Sequence, residues 1–245
     1  MTTTDPTAAL DVIVVGGGQA GLATAYHLTH QGADVLVLDA GAEIGEAWRN
    51  RWDSLRLFTP AQYDALPGMA FPAREDDYPT KDMVADYLRD YAARFKLPVR
   101  LACPVDRVKQ VAGGFVVHSG QGPLRARQVV IATGPFQAPA VPRVAANLSG
   151  EVVQLHSATY RRPSDIPAGP VVVVGAANSG RQIAEELAAT HDVTLAVGTA
   201  SLQLPQRLLG RDLFWWLTRT GLLARTLESR LARRMRERGD VHLFP

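Results

Sequence analysis

The run from Asp11 to Leu22, DVIVVGGGQAGL, constrains this 245-residue chain more than any other stretch. Val12 to Val15 are an unbroken apolar run of the kind a buried parallel strand uses. Gly16, Gly18 and Gly21 then fit G-x-G-x-x-G, and a helical pattern follows over Gln19–Gln31. The first glycine permits a tight turn. The second lets a pyrophosphate reach the backbone, and the third lets helix pack on strand. The helix start offers free N–H groups and a positive dipole end to phosphate, with Gln19 and Ala20 in its first turn. A second strand, Asp34–Leu38, ends in Asp39, the distance from the glycines at which an acid holds a ribose hydroxyl. This is the arrangement of a dinucleotide-binding βαβ unit.

The theme recurs later. Val171–Val174 reads as a second buried strand and Gly175-Ala176-Ala177-Asn178-Ser179-Gly180 as its turn. Arg181–Thr190 reads as the helix and Val193–Val197 as the next strand. Ala177 replaces the middle glycine, which narrows the approach to a pyrophosphate without closing it. No acid follows Val197, which favours a 2′-phosphorylated cofactor. Arg207 and Arg211 are the arginines at hand, both at a distance.

Between the two repeats the pattern changes several times. Trp48, Arg49, Arg51 and Trp52 fall within five residues. That cluster suits either a cover for a flat anionic cofactor or the edge of a core with solvated arginines. Asp53 to Tyr78 is a long loop rich in proline and aromatics, too aromatic for disorder. Thr80 caps an expected amphipathic helix that ends near Phe95. Val99–Leu101 is a short strand. Pro104–Val111, Phe115–Ser119 and Leu124–Arg127 form an antiparallel meander turning at Gly113-Gly114. Gln128–Thr133 is a buried strand running into Ala132-Thr133-Gly134, where small residues permit close approach of a ligand. The prolines from Pro135 to Pro170 mark a connector, with a strand expected at Val152–Leu155. From Gly210 the chain reads as helical, with Leu213, Phe214, Trp216, Leu217, Leu222, Leu223, Leu227, Leu231 and Met235 on apolar faces. Arg225, Arg230, Arg233, Arg234, Arg236 and Arg238 oppose them. A helical pair packed on the second domain is preferred there over an interfacial membrane helix, since amphipathicity alone fits any surface helix. A strand is expected at Val241–Phe244.

The fold class is therefore α/β. Two Rossmann-like dinucleotide domains are expected, each with a parallel sheet, the first also carrying the meander. The expected boundaries are 1–136, a connector at 137–170, and an incomplete second domain at 171–245. Nearly half the residues are apolar, so a sizeable core can form, and a net charge of +2 singles out no partner. Cys103 is the one cysteine, which excludes a disulfide framework and a C-x-x-C redox pair. No metal-ligand spacing occurs, and His27 and His30 read as exposed helix residues. The N-terminus lacks the layout of a secretory signal, and no apolar run is long enough to span a membrane. A cytoplasmic location and no nucleic-acid partner are expected.

These motifs, taken together and in order, resemble the class B flavoprotein monooxygenases, the flavin-containing monooxygenase-like group. The matching pieces are Gly16–Gly21, Gly45-Glu46-Ala47-Trp48-Arg49, Trp52-Asp53-Ser54-Leu55-Arg56-Leu57, Tyr78-Pro79-Thr80-Lys81, Ala132-Thr133-Gly134, His156-x-x-x-Tyr160-Arg161 and Gly175–Gly180. The resemblance implies an FAD domain with an NADPH domain inserted in it. It implies reduction of FAD by NADPH, then a C4a-(hydro)peroxyflavin that oxygenates a nucleophilic nitrogen or sulfur or a carbonyl carbon of a small molecule, with O2 as co-substrate. On that reading FAD meets Gly16, Gly18, Gln19, Ala20, Gly21, Asp39, Trp48, Arg49, Leu55, Val105, Thr133 and Gly134. NADPH meets Gly175, Asn178, Ser179, Gly180 and Arg207, with His156 and Tyr160 as positioning residues in the connector; no catalytic side chain is assigned. The chain departs from the group in four places. Leu148-Ser149-Gly150 lacks the group's phenylalanine, His156 lies two residues farther on than the motif spacing, and Tyr160 stands where Baeyer–Villiger enzymes carry tryptophan. Phe58 stands near the place of an asparagine. Members also continue beyond this end point, so a truncated FAD domain, weak FAD binding and self-association through an open sheet edge are expected. The competing readings are a nucleotide-binding remnant without turnover and an NAD(P)H:acceptor oxidoreductase.

Overall fold

The computed structural model describes residues 9–198, 202–222 and 241–244. The expected tail positions from Leu223 to Arg238, and residues 1–8 and 199–201, lie outside them. The chain forms two compact units. The first takes the chain up to Asn50, Ala65–Pro72 and Lys81–Ala146; the second takes Arg51–Asp64, Ala73–Thr80 and the chain from Asn147 on.

In the first unit β1 (Leu10–Val15) leads through the glycine turn into α1 (Gln19–His30) and then β2 (Val35–Leu38). A single helical turn, α2 (Glu46–Arg49), precedes α3 (Lys81–Arg94), which buries Val84, Ala85, Tyr87, Leu88, Tyr91 and Ala92. β3 (Val99–Arg100), β4 (Val105–Val111), β5 (Gly114–Ser119) and β6 (Gly122–Ile131) complete one six-stranded sheet of order β3-β2-β1-β6-β5-β4. Pairs β3·β2, β2·β1 and β1·β6 are parallel, and β6·β5 and β5·β4 are antiparallel. This is a mixed sheet with a parallel centre, as in Rossmann-like domains.

One expectation changes here. The two strands read at Leu124–Arg127 and Gln128–Thr133 are one continuous strand. Its first half pairs with β5 and its second half with β1, meeting at Ala126, which has partners on both sides. A strand that serves two sheet regions in turn has no break for composition to reveal. Ile13, Val15, Leu38, Cys103, Val117 and Ala126 form the core between these regions, with Val105 packed against it.

In the second unit, β7 (Pro170–Val174) pairs in parallel with β8 (Asp192–Ala196), joined by α4 (Asn178–Ala188). Three further strands and a short helix follow: β9 (Leu202–Pro205), β10 (Arg207–Leu208), β11 (Arg211–Asp212) and α5 (Leu213–Arg219). β12 (Val241–Phe244) pairs in parallel with β9. The described strands of this unit lie in three separate pairs. The expected strand at Val152–Leu155 has no ladder partner and is irregular. The segment read as helical from Gly210 begins instead with a hairpin strand before α5. β7 alternates: Val171 and Val173 are half-buried on the α4 side, whereas Val172 and Val174 are 62% and 73% exposed. The apolar run was therefore right about the strand and wrong about burial on both faces.

Candidate nucleotide-binding turns

The first glycine turn is fixed by contacts that leave no room for side chains. Gly16 has φ +107°, and a Cβ there would lie 2.4 Å from the Ala132 carbonyl oxygen at the end of β6. A Cβ on Gly21 would lie 1.9 Å from the Gly16 carbonyl oxygen. Gly18 differs, since a Cβ there meets nothing within 4 Å. Gly18 is also the N-cap of α1 and supplies no side chain to cap it. The helix start at Gln19 and Ala20 is exposed, so its first N–H groups are open to water or to a ligand.

Asp39 lies against this turn. Its Oδ2 accepts the Gly17 N–H at 2.5 Å and its Oδ1 accepts the Gly41 N–H at 2.8 Å. Both oxygens keep lone-pair capacity toward a hydroxyl. Trp48 on α2 donates its indole N–H to Gln19 Oε1 at 3.3 Å, which holds the tryptophan beside the helix start. Ala132 donates its N–H to Val15 O at 2.8 Å, placing Thr133 and Gly134 next to the turn.

Arg49 is held by acids of the preceding loop and of α3. Its guanidinium contacts Asp86 at 2.7 Å, Glu43 at 2.9 Å and Asp82 at 3.8 Å. The hydrogen bond that Arg49 donates to Asp86 chiefly raises its pKa, against the opposing effect of burial. Lys81 Nζ donates to the Arg49 carbonyl at 3.1 Å and to Asp82. The arginine therefore pins α2 to the start of α3. Leu55 is buried in the second unit.

The second turn reproduces the first. Gly175 has φ +103°, and a Cβ on Gly180 would again lie 1.9 Å from the oxygen of the leading glycine. Ala177 caps α4 with φ −72° and ψ 174°, against −78° and −173° at Gly18, and likewise supplies no side-chain cap. Asn178 Oδ1 is buried with no partner among the described residues, and Ser179 is half-buried beside it. Arg181 Nε donates to the Ala176 carbonyl at 2.7 Å, bracing the turn from behind.

His156 and Tyr160 have structural partners. His156 Nδ1 accepts the Ala158 N–H at 3.1 Å, and its carbonyl accepts the N–H groups of Thr159 and Tyr160. Tyr160 is buried and donates to Glu186 on α4 at 2.7 Å; burial first, then this bond, pushes its pKa up. Arg207 is exposed on β10.

Sequence reasoning missed two groups in the second unit. Asp212 and Gln206, both buried, meet Tyr78: Tyr78 donates to Asp212 Oδ2 at 2.6 Å and Gln206 Nε2 does so at 2.7 Å. Gln206 Nε2 also donates to the Phe58 carbonyl at 2.9 Å, and Asp212 Oδ1 accepts the Phe214 N–H as cap of α5. No signal in the sequence pairs residues so far apart.

The other is Asp64, which follows the short helical turn Ala61–Tyr63. Thr59 donates to Asp64 Oδ1, while Oδ2 is buried without a partner among the described residues. Burial pushes the carboxyl from its ordinary 3.8 up to about 6, against the opposing pull of Thr59. Folding thus favours the protonated form. The stabilisation is complete below the unfolded value and is lost as pH rises through about 6. We expect Asp64→Asn to remove this loss of stability between about pH 4 and 6. Urea titrations of both proteins across that range check it, and parallel profiles would refute it.

Among the described residues no group of His, Cys, Asp and Glu is arranged to hold a metal, and no helix is long and apolar enough to cross a membrane. A parallel-centred sheet with βα glycine turns at helix starts defines a nucleotide-binding oxidoreductase class. The chain belongs to the pyridine nucleotide-disulphide oxidoreductase family, whose profile matches residues 13–208. It is 42% identical over 231 residues to an uncharacterized CzcO-like oxidoreductase of Geobacillus kaustophilus, covering 94% of this chain and 66% of that protein. It is 32% identical to a probable indole-3-pyruvate monooxygenase, YUCCA9, of Arabidopsis thaliana, covering 82% of this chain and 50% of the plant protein. The flavin-containing monooxygenase of Stenotrophomonas maltophilia superimposes with a TM-score of 0.78 at 31% identity, covering 97% of this chain and 70% of that one. The chain thus spans half to about two-thirds of the relatives it matches in sequence. Within a family named for disulphide chemistry, its single cysteine is buried in the first sheet and unpaired.

Proposed function

We propose that this chain is the FAD- and NADPH-binding portion of a flavin-dependent monooxygenase, which inserts one oxygen atom into a small nucleophilic or carbonyl substrate. The observation that carries the reading is the duplicated turn: two helix starts of the same backbone geometry without side-chain caps, each packed so closely at Gly21 or Gly180 that an added Cβ would clash with the carbonyl oxygen of the leading glycine. Two such turns call for two dinucleotides. The absence of a cysteine pair removes the internal dithiol as electron acceptor and leaves O2 or an external acceptor. Monooxygenase relatives favour O2.

At the first turn the N–H groups following Gly18 bind the FAD pyrophosphate and Asp39 holds a ribose hydroxyl. Trp48, fixed by Gln19, and Thr133–Gly134 border the same site. At the second, the N–H groups following Ala177 bind the NADPH pyrophosphate, and a hydroxyl of the cofactor is the kind of donor that Asn178 Oδ1 lacks among the described residues. Tyr160, through Glu186, positions α4. Bound flavin and nicotinamide supply electron transfer and oxygen activation, chemistry no side chain of this chain provides.

Gly18→Val tests the assignment. Its side chain enters space free of protein atoms. We expect the variant to keep its melting temperature within about 2 °C, a change of well under 1 kcal/mol, and to lose bound flavin. Flavin absorbance per protein checks this; normal flavin occupancy in the variant would refute the site.

A further inference from the structure

The hairpin of β10 and β11 carries a feature that stability does not explain. Its strands pair Arg207 with Asp212 and Leu208 with Arg211, leaving a two-residue turn, Leu209-Gly210. Both turn residues are left-handed, with φ +51° at Leu209 and +76° at Gly210. Such primed turns strongly favour Asn-Gly, because a branched aliphatic side chain is strained at positive φ. Here the strained position holds a leucine, and that leucine is 83% exposed. Leu208 beside it is 47% exposed. The tip thus combines backbone strain with apolar surface in water.

The base of the hairpin is rigid. Gln206 and Asp212 flank it, both buried and hydrogen-bonded to each other, and Leu213 donates its N–H to the Gln206 carbonyl at 2.9 Å. Trp216 Nε1 donates to the Leu208 carbonyl at 3.0 Å, and the Arg211 guanidinium lies 5.4 Å from the Trp215 ring centroid. The leucines are therefore presented on a fixed support. Arg207 and Arg211 stand exposed on its two strands, while the acid of the hairpin, Asp212, is buried.

We infer that this hairpin tip is a peripheral docking element for an anionic lipid surface, with Leu208 and Leu209 entering the headgroup boundary and Arg207 and Arg211 meeting lipid phosphates. Exposed leucines beside tryptophan and arginine are the side chains such a boundary takes up. Charge supports the same occupant. Residues 207–240 hold nine arginines and four acids, an excess of five positive charges in a chain of net charge +2. Among the described residues of this stretch Arg207, Arg211 and Arg219 are exposed and the one acid, Asp212, is buried, a charge that a negatively charged leaflet attracts. The inference does not depend on the cofactor reading.

The test is co-sedimentation of the purified chain with vesicles of phosphatidylcholine alone and of phosphatidylcholine mixed with phosphatidylglycerol. The expected result is binding to the mixed vesicles only, reversed by high salt. Leu209→Asn should weaken it about tenfold or more, as expected when one aliphatic side chain no longer leaves water. Its melting temperature should hold or rise, because asparagine tolerates the left-handed turn. Absence of binding to the mixed vesicles would overturn the inference, as would equal binding to neutral vesicles or full binding by Leu209→Asn. Leu209-dependent self-association in gel filtration without lipid would also overturn it, assigning the tip to a second copy of the chain.

Discussion

Replacing Gly21 by valine is expected to destabilise the first unit by about 4 kcal/mol or more, at the upper end of single-substitution effects. The cause is local. A Cβ at position 21 falls 1.9 Å from the Gly16 carbonyl oxygen and 3.4 Å from Val14 Cγ1, so α1 must lift from β1. That helix and strand carry Leu22, Ala25, Ile13 and Val14, all fully buried. The melting temperature should fall by roughly 10 °C. Gly18→Val, three residues away in the same motif, provides the contrast, since its position is open. Thermal melts of both variants separate packing from ligand approach. A Gly21→Val protein that melts with the wild type would show that the turn relaxes without cost.

The second large effect is expected at Asp212. Its carboxylate accepts from Tyr78 O–H, Gln206 Nε2 and the Phe214 N–H, and it is 3% exposed. Asp212→Ala strands those donors and removes the cap of α5. Leaving buried partners unpaired in this way costs about 3–5 kcal/mol. Tyr78→Phe removes one bond and should cost about 1 kcal/mol. A spectroscopic signature accompanies the loss. Burial first and Asp212 second push the Tyr78 pKa up to about 12. In Asp212→Ala that tyrosine should ionise at lower pH, read from phenolate absorbance. An unchanged titration together with unchanged urea stability would refute the role assigned to the cluster.

How much of this was visible in the sequence depends on the range of the interaction. β1, its turn and α1 were legible because an apolar run, three spaced glycines and a 3.6-residue period all lie within twenty residues. The same cues found β7 and α4, and Thr80 marked the start of α3. Arg49 was legible as an arginine in a conspicuous place. Its carboxylate partners were not, because Glu43 precedes it in a loop while Asp82 and Asp86 lie on α3, and solvated helix acids carry no sign of whom they pair with. Asp212 was missed for the same reason, since its tyrosine partner lies 134 residues earlier. The chain from Gly210 was read as helical throughout, so the strand at Arg211–Asp212 was missed, and only the backbone shows the preceding Leu209 at positive φ. Burial of β7 on both faces was inferred from composition alone, and strand composition reports strand formation better than it reports what covers each face.

The division of the long loop bears on how the chain is made. Arg51–Asp64 and Ala73–Thr80 leave the ribosome early, yet their partners in the second unit are Arg161, Gln182, Gln206 and Asp212. Phe58 waits 148 positions for Gln206. The first sheet can close as soon as β6 is synthesised, while these two segments hold each other, through Leu57 N–H to the Pro79 carbonyl and Ala61 N–H to the Asp77 carbonyl. Contacts that span more than a hundred residues form late, so the interval before α5 emerges leaves the apolar side chains of these segments without their final partners.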